Sequence, residues 1–334
     1  MSQLEGLKRH TCIVVDTANF SLLSECSAQD ATTNPSLVLA SSKLECHAHL
    51  VANAVAFARN NVDSWRDGII ASAGDERAQV LELAVDKLTV SIGVEILKLI
   101  PGRVSTEVDA RLSYNAEQMI KKARHLVRLY SDAGISKERL YVKIAATWEG
   151  ICAAKQLEHE GINCNLTLLF SFGQAVACAQ AGVALISPFV GRILDWYKAK
   201  HPELADTFVG SADPGVIAVT RVYNYYKQHG YPTVVMGASF RNTNEILELS
   251  GCDKLTISPS LLEQLANTVG DVPRKLDPKN PNPAQTTPKL PDFTTAEMLF
   301  EGEPNTMARE KLEEGIRDFS RDTEALESYI STLL

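Results

Sequence analysis

Residues 139–170 read RLYVKIAATWEGICAAKQLEHEGINCNLTLLF, and the fold turns on this stretch. RLYVKIA (139–145) is an apolar run of strand length. Trp148 to Glu160 then carries helical spacing up to a stop signal at Gly161, and NCNLTLLF (163–170) is a second strand-length run. Strand, helix and strand in this order is how a parallel sheet with crossover helices is written in sequence.

Working outward, the same unit recurs. TCIVVDT (11–17), the polar and weakest run DATTN (30–34), and RVSTEV (103–108) precede it. ALISPF (184–189), PTVVMGA (232–238) and KLTISP (254–259) follow, so eight strand candidates alternate with helical stretches such as 115–133 and 213–230, which stop at Gly134 and Gly230. Eight units point to an eight-stranded barrel, although a doubly wound open sheet has the same local pattern. No G-x-G-x-x-G follows the first strand, which weakens a dinucleotide-binding reading. Two longer helical segments, about 44–60 and 78–99, form an expected insertion at about 44–100 that decorates the barrel. Six prolines between Pro273 and Pro291 make 270–292 an extended connection of unassigned role, and a closing helix spans about 305–334. Length fits about two domains, or one barrel of roughly 250 residues with added helices.

The 334 residues are 45% hydrophobic and 22% charged with a net charge of −8, a globular composition whose field repels nucleic acid, acidic membranes and phosphate esters. An anionic substrate therefore needs local arginines. Seven cysteines without a C-x-x-C pair, mostly in apolar runs, indicate a reducing compartment. With no leader-like N-terminus and no apolar run of about 20 residues, the expectation is a cytoplasmic protein. His47 and His49 are read as surface residues, no metal site is expected, and Trp196 with Tyr197 reads as packing.

Chemistry in a barrel gathers at the carboxyl ends of the strands. Lys143 lies inside LYVKIAA, where an unpaired lysine is costly to bury. Desolvation disfavours its ammonium, and the free amine can attack a carbonyl to form a Schiff base. Such chemistry needs carboxyls to move protons. Asp16 ends CIVVD and Glu107 ends RVSTE, each reaching the same rim, although a strand-end carboxylate also serves as a helix cap or turn residue. Asn163, Asn165 and Thr167 share one strand face, with Ile162, Cys164, Leu166 and Leu168 on the other. Thr167 there fits either a positioned water or an ordinary buried network. Asn34 before Pro35 fits a helix cap. Arg192 and Arg241 each fall just past a strand, where a guanidinium can clamp phosphate or simply stand in solvent.

Taken in order, DATTNPSLVLA, PGRVSTEVDARLS, YVKIAATWEGICAA, INCNLTLLFSFGQA, LISPFVGRILDWYK and VVMGASFRN resemble the transaldolase family from about Thr11 to at least Ile257. The resemblance implies a single (β/α)8 TIM-type barrel spanning the chain, with a C-terminal helix. It implies transfer of a dihydroxyacetone unit from sedoheptulose 7-phosphate to glyceraldehyde 3-phosphate, giving erythrose 4-phosphate and fructose 6-phosphate, without metal or organic cofactor. By motif, Lys143 matches the Schiff-base lysine, Asp16 the acid/base for carbon–carbon cleavage, and Glu107 with Thr167 the pair that activates water. Asn34, Asn165 and Ser187 match the pocket for the substrate hydroxyls, and Arg192, Ser239 and Arg241 the phosphate site. The related fructose 6-phosphate aldolases usually carry glutamine and tyrosine where this chain has Glu107 and Phe189. The family often forms homodimers, and its partners are sugar phosphates rather than nucleic acid or membrane.

Overall fold

A computed structural model describes residues 1–26, 28–72, 74–279, 287–301 and 305–334. The middle of the Pro-rich connection, residues 280–286, and the side chain of Cys26 lie outside the described residues. Eight parallel strands close into one barrel in chain order: β1 (Cys12–Asp16), β2 (Asp30–Thr32), β3 (Val104–Glu107), β4 (Leu140–Ala145), β5 (Cys164–Leu169), β6 (Leu185–Pro188), β7 (Val234–Gly237) and β8 (Lys254–Ile257). Closure is made by β1 against β8, with Cys12 opposite Lys254 and Val15 opposite Ile257. That pairing excludes the open-sheet alternative. The polar run at 30–34 supplies only three strand residues, yet all three are buried between β1 and β3.

Thirteen α-helices are seen among the described residues. They are α1 (Gln3–Lys8), α2 (Phe20–Cys26), α3 (Pro35–Ser42), α4 (Ala48–Trp65), α5 (Glu76–Leu99), α6 (Ala116–Asp132), α7 (Trp148–His159), α8 (Phe172–Gln180), α9 (Val190–Lys200), α10 (Pro214–Gln228), α11 (Thr243–Glu248), α12 (Pro259–Asn267) and α13 (Asn305–Ser331). The stop signals have a backbone cause. Gly134, Gly161 and Gly230 have φ of 78°, 72° and 68°, the left-handed conformation that ends a helix without a Cβ penalty. The two helical segments expected at about 44–60 and 78–99 are α4 and α5, which lie between β2 and β3 in the chain.

Helices α5 and α6 are joined by buried charge as well as by apolar packing. Lys122 of α6, its side chain 3% exposed, pairs with Glu82 and Asp86 of α5. Burial works against its charge, but the two carboxylates outweigh it and hold the ammonium above the usual lysine range. Lys122→Ala removes the cation from both carboxylates, leaving Glu82 the N–H groups of Ile70 and Ala71 and Asp86 its contact with His125. It is expected to cost about 3 kcal/mol, the lower end for a broken buried pair, read as a lower urea midpoint. A loss within about 0.5 kcal/mol would assign the cluster no structural role.

One surface expectation is corrected. His47 is 3% exposed; its ring lies against Phe20 at 4.1 Å between centroids, tilted by 35°, and Nδ1 lies 2.8 Å from Ser41 Oγ. On a helical path, two-residue spacing puts neighbours on different faces, so His47 turns inward while His49 stays exposed. Cys46 and Cys152 are also exposed, whereas Cys164, Cys178 and Cys252 are buried. Trp196 and Tyr197 pack edge to face at 5.2 Å. No described helix is long and apolar enough to cross a membrane.

Candidate active site

Inside the barrel Val14, Tyr141, Leu185 and Met236 form an apolar cluster. Strand periodicity places Asp16, Lys143 and Ser187, two residues further along β1, β4 and β6, on the same inner face nearer the carboxyl ends. These three, with Thr32, Asn34, Phe189, Arg192, Ala238, Ser239, Thr256 and Phe319, line a cavity of about 150 Å³. A plug of apolar side chains below and a polar layer above is thus written into alternate residues of the strands.

Lys143 stands opposite Glu107 in the β3–β4 register. Their side chains are 5% and 4% exposed, and Nζ lies 2.9 Å from Glu107 Oε2. Nζ also donates to the Thr33 carbonyl at 3.0 Å, so the amine is held at two points in a dry environment. Asp16 Oδ1 accepts from Thr32 Oγ1 at 2.7 Å, and Thr32 in turn contacts Thr256 Oγ1 at 2.7 Å. Burial pushes the Asp16 carboxyl above the usual carboxylate range, with Lys143, Thr32 and Arg192 opposing it. Glu107 is likewise raised by burial against the pull of Lys143. Two carboxyls beside one amine are therefore shifted toward the working range of proton transfer.

The β5 side chains complete the inner layer. Asn165 and Thr167 are fully buried. Asn165 Nδ2 donates to Ser105 Oγ at 3.1 Å, and its Oδ1 accepts from Ser187 Oγ at 2.6 Å. Thr167 Oγ1 is buried without a hydrogen-bond partner among the described residues, and Glu107 Oε2 meets Lys143 as an ion pair without hydrogen-bond alignment. Asn163, expected on the same face, sits before the strand and serves its other end, accepting from Arg103 at 2.6 Å and donating to Glu158 at 3.0 Å. The expected alternation also fails at Leu168. There the register shifts between Leu166 and Leu169, φ is 53°, and the side chain lies against Gly315 of α13, where an added Cβ would come within 2.5 Å of Cδ2. A bulge that re-aims side chains beside a site explains the departure at Leu168, whereas Asn163 departs because it precedes the strand and bonds to Arg103 and Glu158.

Asn34 is a helix cap as well as a cavity wall: its Oδ1 accepts from Leu37 N at 2.9 Å. Arg192, in the first turn of α9, lies over the rings of Phe189 and Phe319 at 5.1 and 5.5 Å. Burial and then Arg241 pull it below the usual arginine range. It has no ion-pair partner within 4 Å among the described residues. Arg241 differs. Its guanidinium is exposed and paired with Asp195 of α9 at 2.7 Å, so the sequence placed it at the right rim without foreseeing its partner. Gly191 brings α9 close to this loop: it donates to the Ser239 carbonyl at 3.0 Å, and an added Cβ would stand 2.4 Å from that oxygen. Ser239 itself holds φ of 60°.

Sequence reasoning missed Thr32, Thr33, Ser105, Thr256 and Phe319. Phe319 lies on α13, 2% exposed, with Lys143 Nζ 5.9 Å from its ring centre. A hydroxyl residue in a strand and an aromatic on an amphipathic helix carry no local mark of a site; the polar interruptions of DATTN and KLTIS were the available signal. Among the described residues, no three His, Cys, Asp or Glu side chains gather as metal ligands.

The family model described as Transaldolase/Fructose-6-phosphate aldolase matches residues 13–330. Curated relatives include a protein named Transaldolase from Shewanella sp. (strain W3-18-1), 54% identical over 331 residues that cover 99% of this chain and 98% of that protein. Another of that name, from Actinobacillus pleuropneumoniae serotype 3 (strain JL03), is 53% identical over 334 residues, the full length of both. A third, from Edwardsiella ictaluri (strain 93-146), is 53% identical and covers 99% of each chain.

Proposed function

The chain belongs to the transaldolase/fructose-6-phosphate aldolase family, and from that premise we propose a dihydroxyacetone transferase that works through a Schiff base on Lys143. The observation that carries the reading is the buried amine of Lys143, 2.9 Å from Glu107 in a barrel mouth that Asp16 also lines.

In this reading Lys143 Nζ attacks the ketone carbon of sedoheptulose 7-phosphate. Glu107 and Thr167 steer the water that leaves and later returns, supported by the two buried oxygens that lack aligned partners. Asp16 takes the proton of the C4 hydroxyl, the C3–C4 bond breaks, and its electrons pass into the protonated imine to give an enamine. Erythrose 4-phosphate departs. The enamine attacks glyceraldehyde 3-phosphate, and hydrolysis frees fructose 6-phosphate. Asn34, Asn165 and Ser187 hold the dihydroxyacetone hydroxyls, and Phe189 and Phe319 wall off the reacting carbons. Arg192, Ser239 and Arg241 take the phosphate, which supplies binding energy remote from the bond being broken. Arg192 and Arg241 also meet the need for local cations in a chain of net charge −8.

Transfer is separated from simple cleavage by measuring fructose 6-phosphate turnover with and without erythrose 4-phosphate. A transferase requires the acceptor, and acceptor-independent release of dihydroxyacetone marks a lyase. Arg241→Ala removes a charge-assisted contact worth about 1.5–3 kcal/mol. Phosphate must first displace Asp195, which puts the effect at the lower end, about a tenfold rise in KM for phosphorylated sugars with kcat little changed. Unchanged KM removes Arg241 from the phosphate site. The proposal extends to a cytoplasmic location, in keeping with the free thiols, and to a homodimer, which sedimentation of the purified chain tests.

A further inference from the structure

We propose that Glu245 is the positioning residue of the loop 239–242, a buried carboxyl that fixes the main chain of Arg241 so that its guanidinium meets the phosphate of the sugar. The inference rests on the reading that Arg241 takes that phosphate.

Glu245 is 1% exposed although it belongs to a six-residue helix, α11. Its Oε2 accepts the backbone N–H of Arg241 at 2.6 Å, and its own N–H goes to Asn242 Oδ1 at 3.0 Å. One residue thus ties the loop at two consecutive positions. The tether has something to resist. Ser239 is held at φ 60°, and Asp195 draws the guanidinium toward α9 at 2.7 Å. With the Arg241 main chain free to shift, the fork would follow Asp195 and lose its aim.

The chemistry of the tether is unusual. Glu245 Oε1 is buried without a hydrogen-bond partner among the described residues. The adjoining group is another buried carboxyl, Asp213, 2% exposed, which caps α10 through Gly215 N at 2.7 Å and Val216 N at 3.3 Å. The charged groups that act on this pair are Arg241 from the loop and Lys198 from α9. Two carboxyls in so dry a place hold a proton between them more readily than two charges. Burial, reinforced by Asp213, pushes Glu245 up to about 7. Below that pH one proton keeps the pair quiet and Oε2 remains an acceptor for Arg241. As pH rises through about 7, a second charge appears, the carboxylates repel, and the loop they hold loosens. KM for phosphorylated substrate therefore rises on the alkaline side, while the chemistry at Lys143 is spared.

The test uses the full chain, with fructose 6-phosphate as donor, erythrose 4-phosphate as acceptor and inorganic phosphate as a competing anion. Glu245→Ala is expected to raise KM and weaken phosphate inhibition by about tenfold, with kcat within about twofold. Glu245→Gln keeps the acceptor oxygen but cannot ionise. It should restore KM at neutral pH to within about threefold and abolish the rise in KM that the parent shows between about pH 6 and 8, the span over which a carboxyl pushed up to about 7 ionises. A parent-like KM and pH profile in both variants overturns the inference. If the alanine variant does not fold, the pH profile of the glutamine variant decides alone. Arg241→Ala separates the two layers: raised KM there with silent Glu245 variants sinks only the tether, whereas unchanged KM there sinks the phosphate-site reading and the tether with it.

Discussion

Lys143→Ala is expected to lower turnover by on the order of 10⁴-fold or more while the barrel stays folded. The rate loss follows from the covalent step: no other described cation lies in an ion pair with Glu107 inside the barrel mouth, so no second amine replaces the one removed. Persistence of the fold follows from the neighbouring acid. Truncation leaves Glu107 buried without its cation, and a charged carboxylate there would cost about 3–5 kcal/mol. Glu107 is already pushed upward by burial against the opposing pull of Lys143; without that pull it takes a proton and the cost is largely avoided. Circular dichroism and a thermal melt should match the parent. Activity within about tenfold of the parent contradicts the covalent role.

Asp16→Asn carries the second largest effect, a loss of about 10²–10⁴-fold in kcat, the usual contribution of a positioned acid/base. The amide oxygen still accepts from Thr32, whose hydroxyl sits 2.7 Å from Asp16 Oδ1, so the pocket keeps its shape. Only the ability to take the C4 hydroxyl proton is lost. Schiff-base formation should therefore survive while bond cleavage stalls, and the variant should accumulate a covalent adduct with fructose 6-phosphate. A variant that neither turns over nor forms the adduct would move Asp16 from cleavage to the earlier steps at Lys143.

Much of this molecule is legible along the chain because barrel strands are buried on both faces and leave short apolar runs. Each of the eight runs lies within a residue or two of its strand, including the polar DATTN, whose Thr32 turns out to hold Asp16. Closure is another matter. It depends on β1 meeting β8 across more than two hundred residues, and no local pattern distinguishes that from an open sheet. At the site, Lys143, Asp16 and Glu107 stand out because charge in an apolar strand is expensive. Thr256 and Ser105 do not, since a hydroxyl is cheap to bury once it finds a partner. Phe319 is hidden for a different reason: on an amphipathic helix it looks like any core residue, and only the docking of α13 brings it to Arg192 and Lys143. The bulge at Leu168, the inward turn of His47 and the Asp195–Arg241 pair likewise depend on neighbours distant in sequence.

The most direct test is to reduce the protein with borohydride in the presence of fructose 6-phosphate and map the product by peptide mass spectrometry. Irreversible inactivation with a single dihydroxyacetone-derived adduct on the peptide containing Lys143 is the predicted result. Full retention of activity, or an adduct on any other lysine with Lys143 unmodified, contradicts the account.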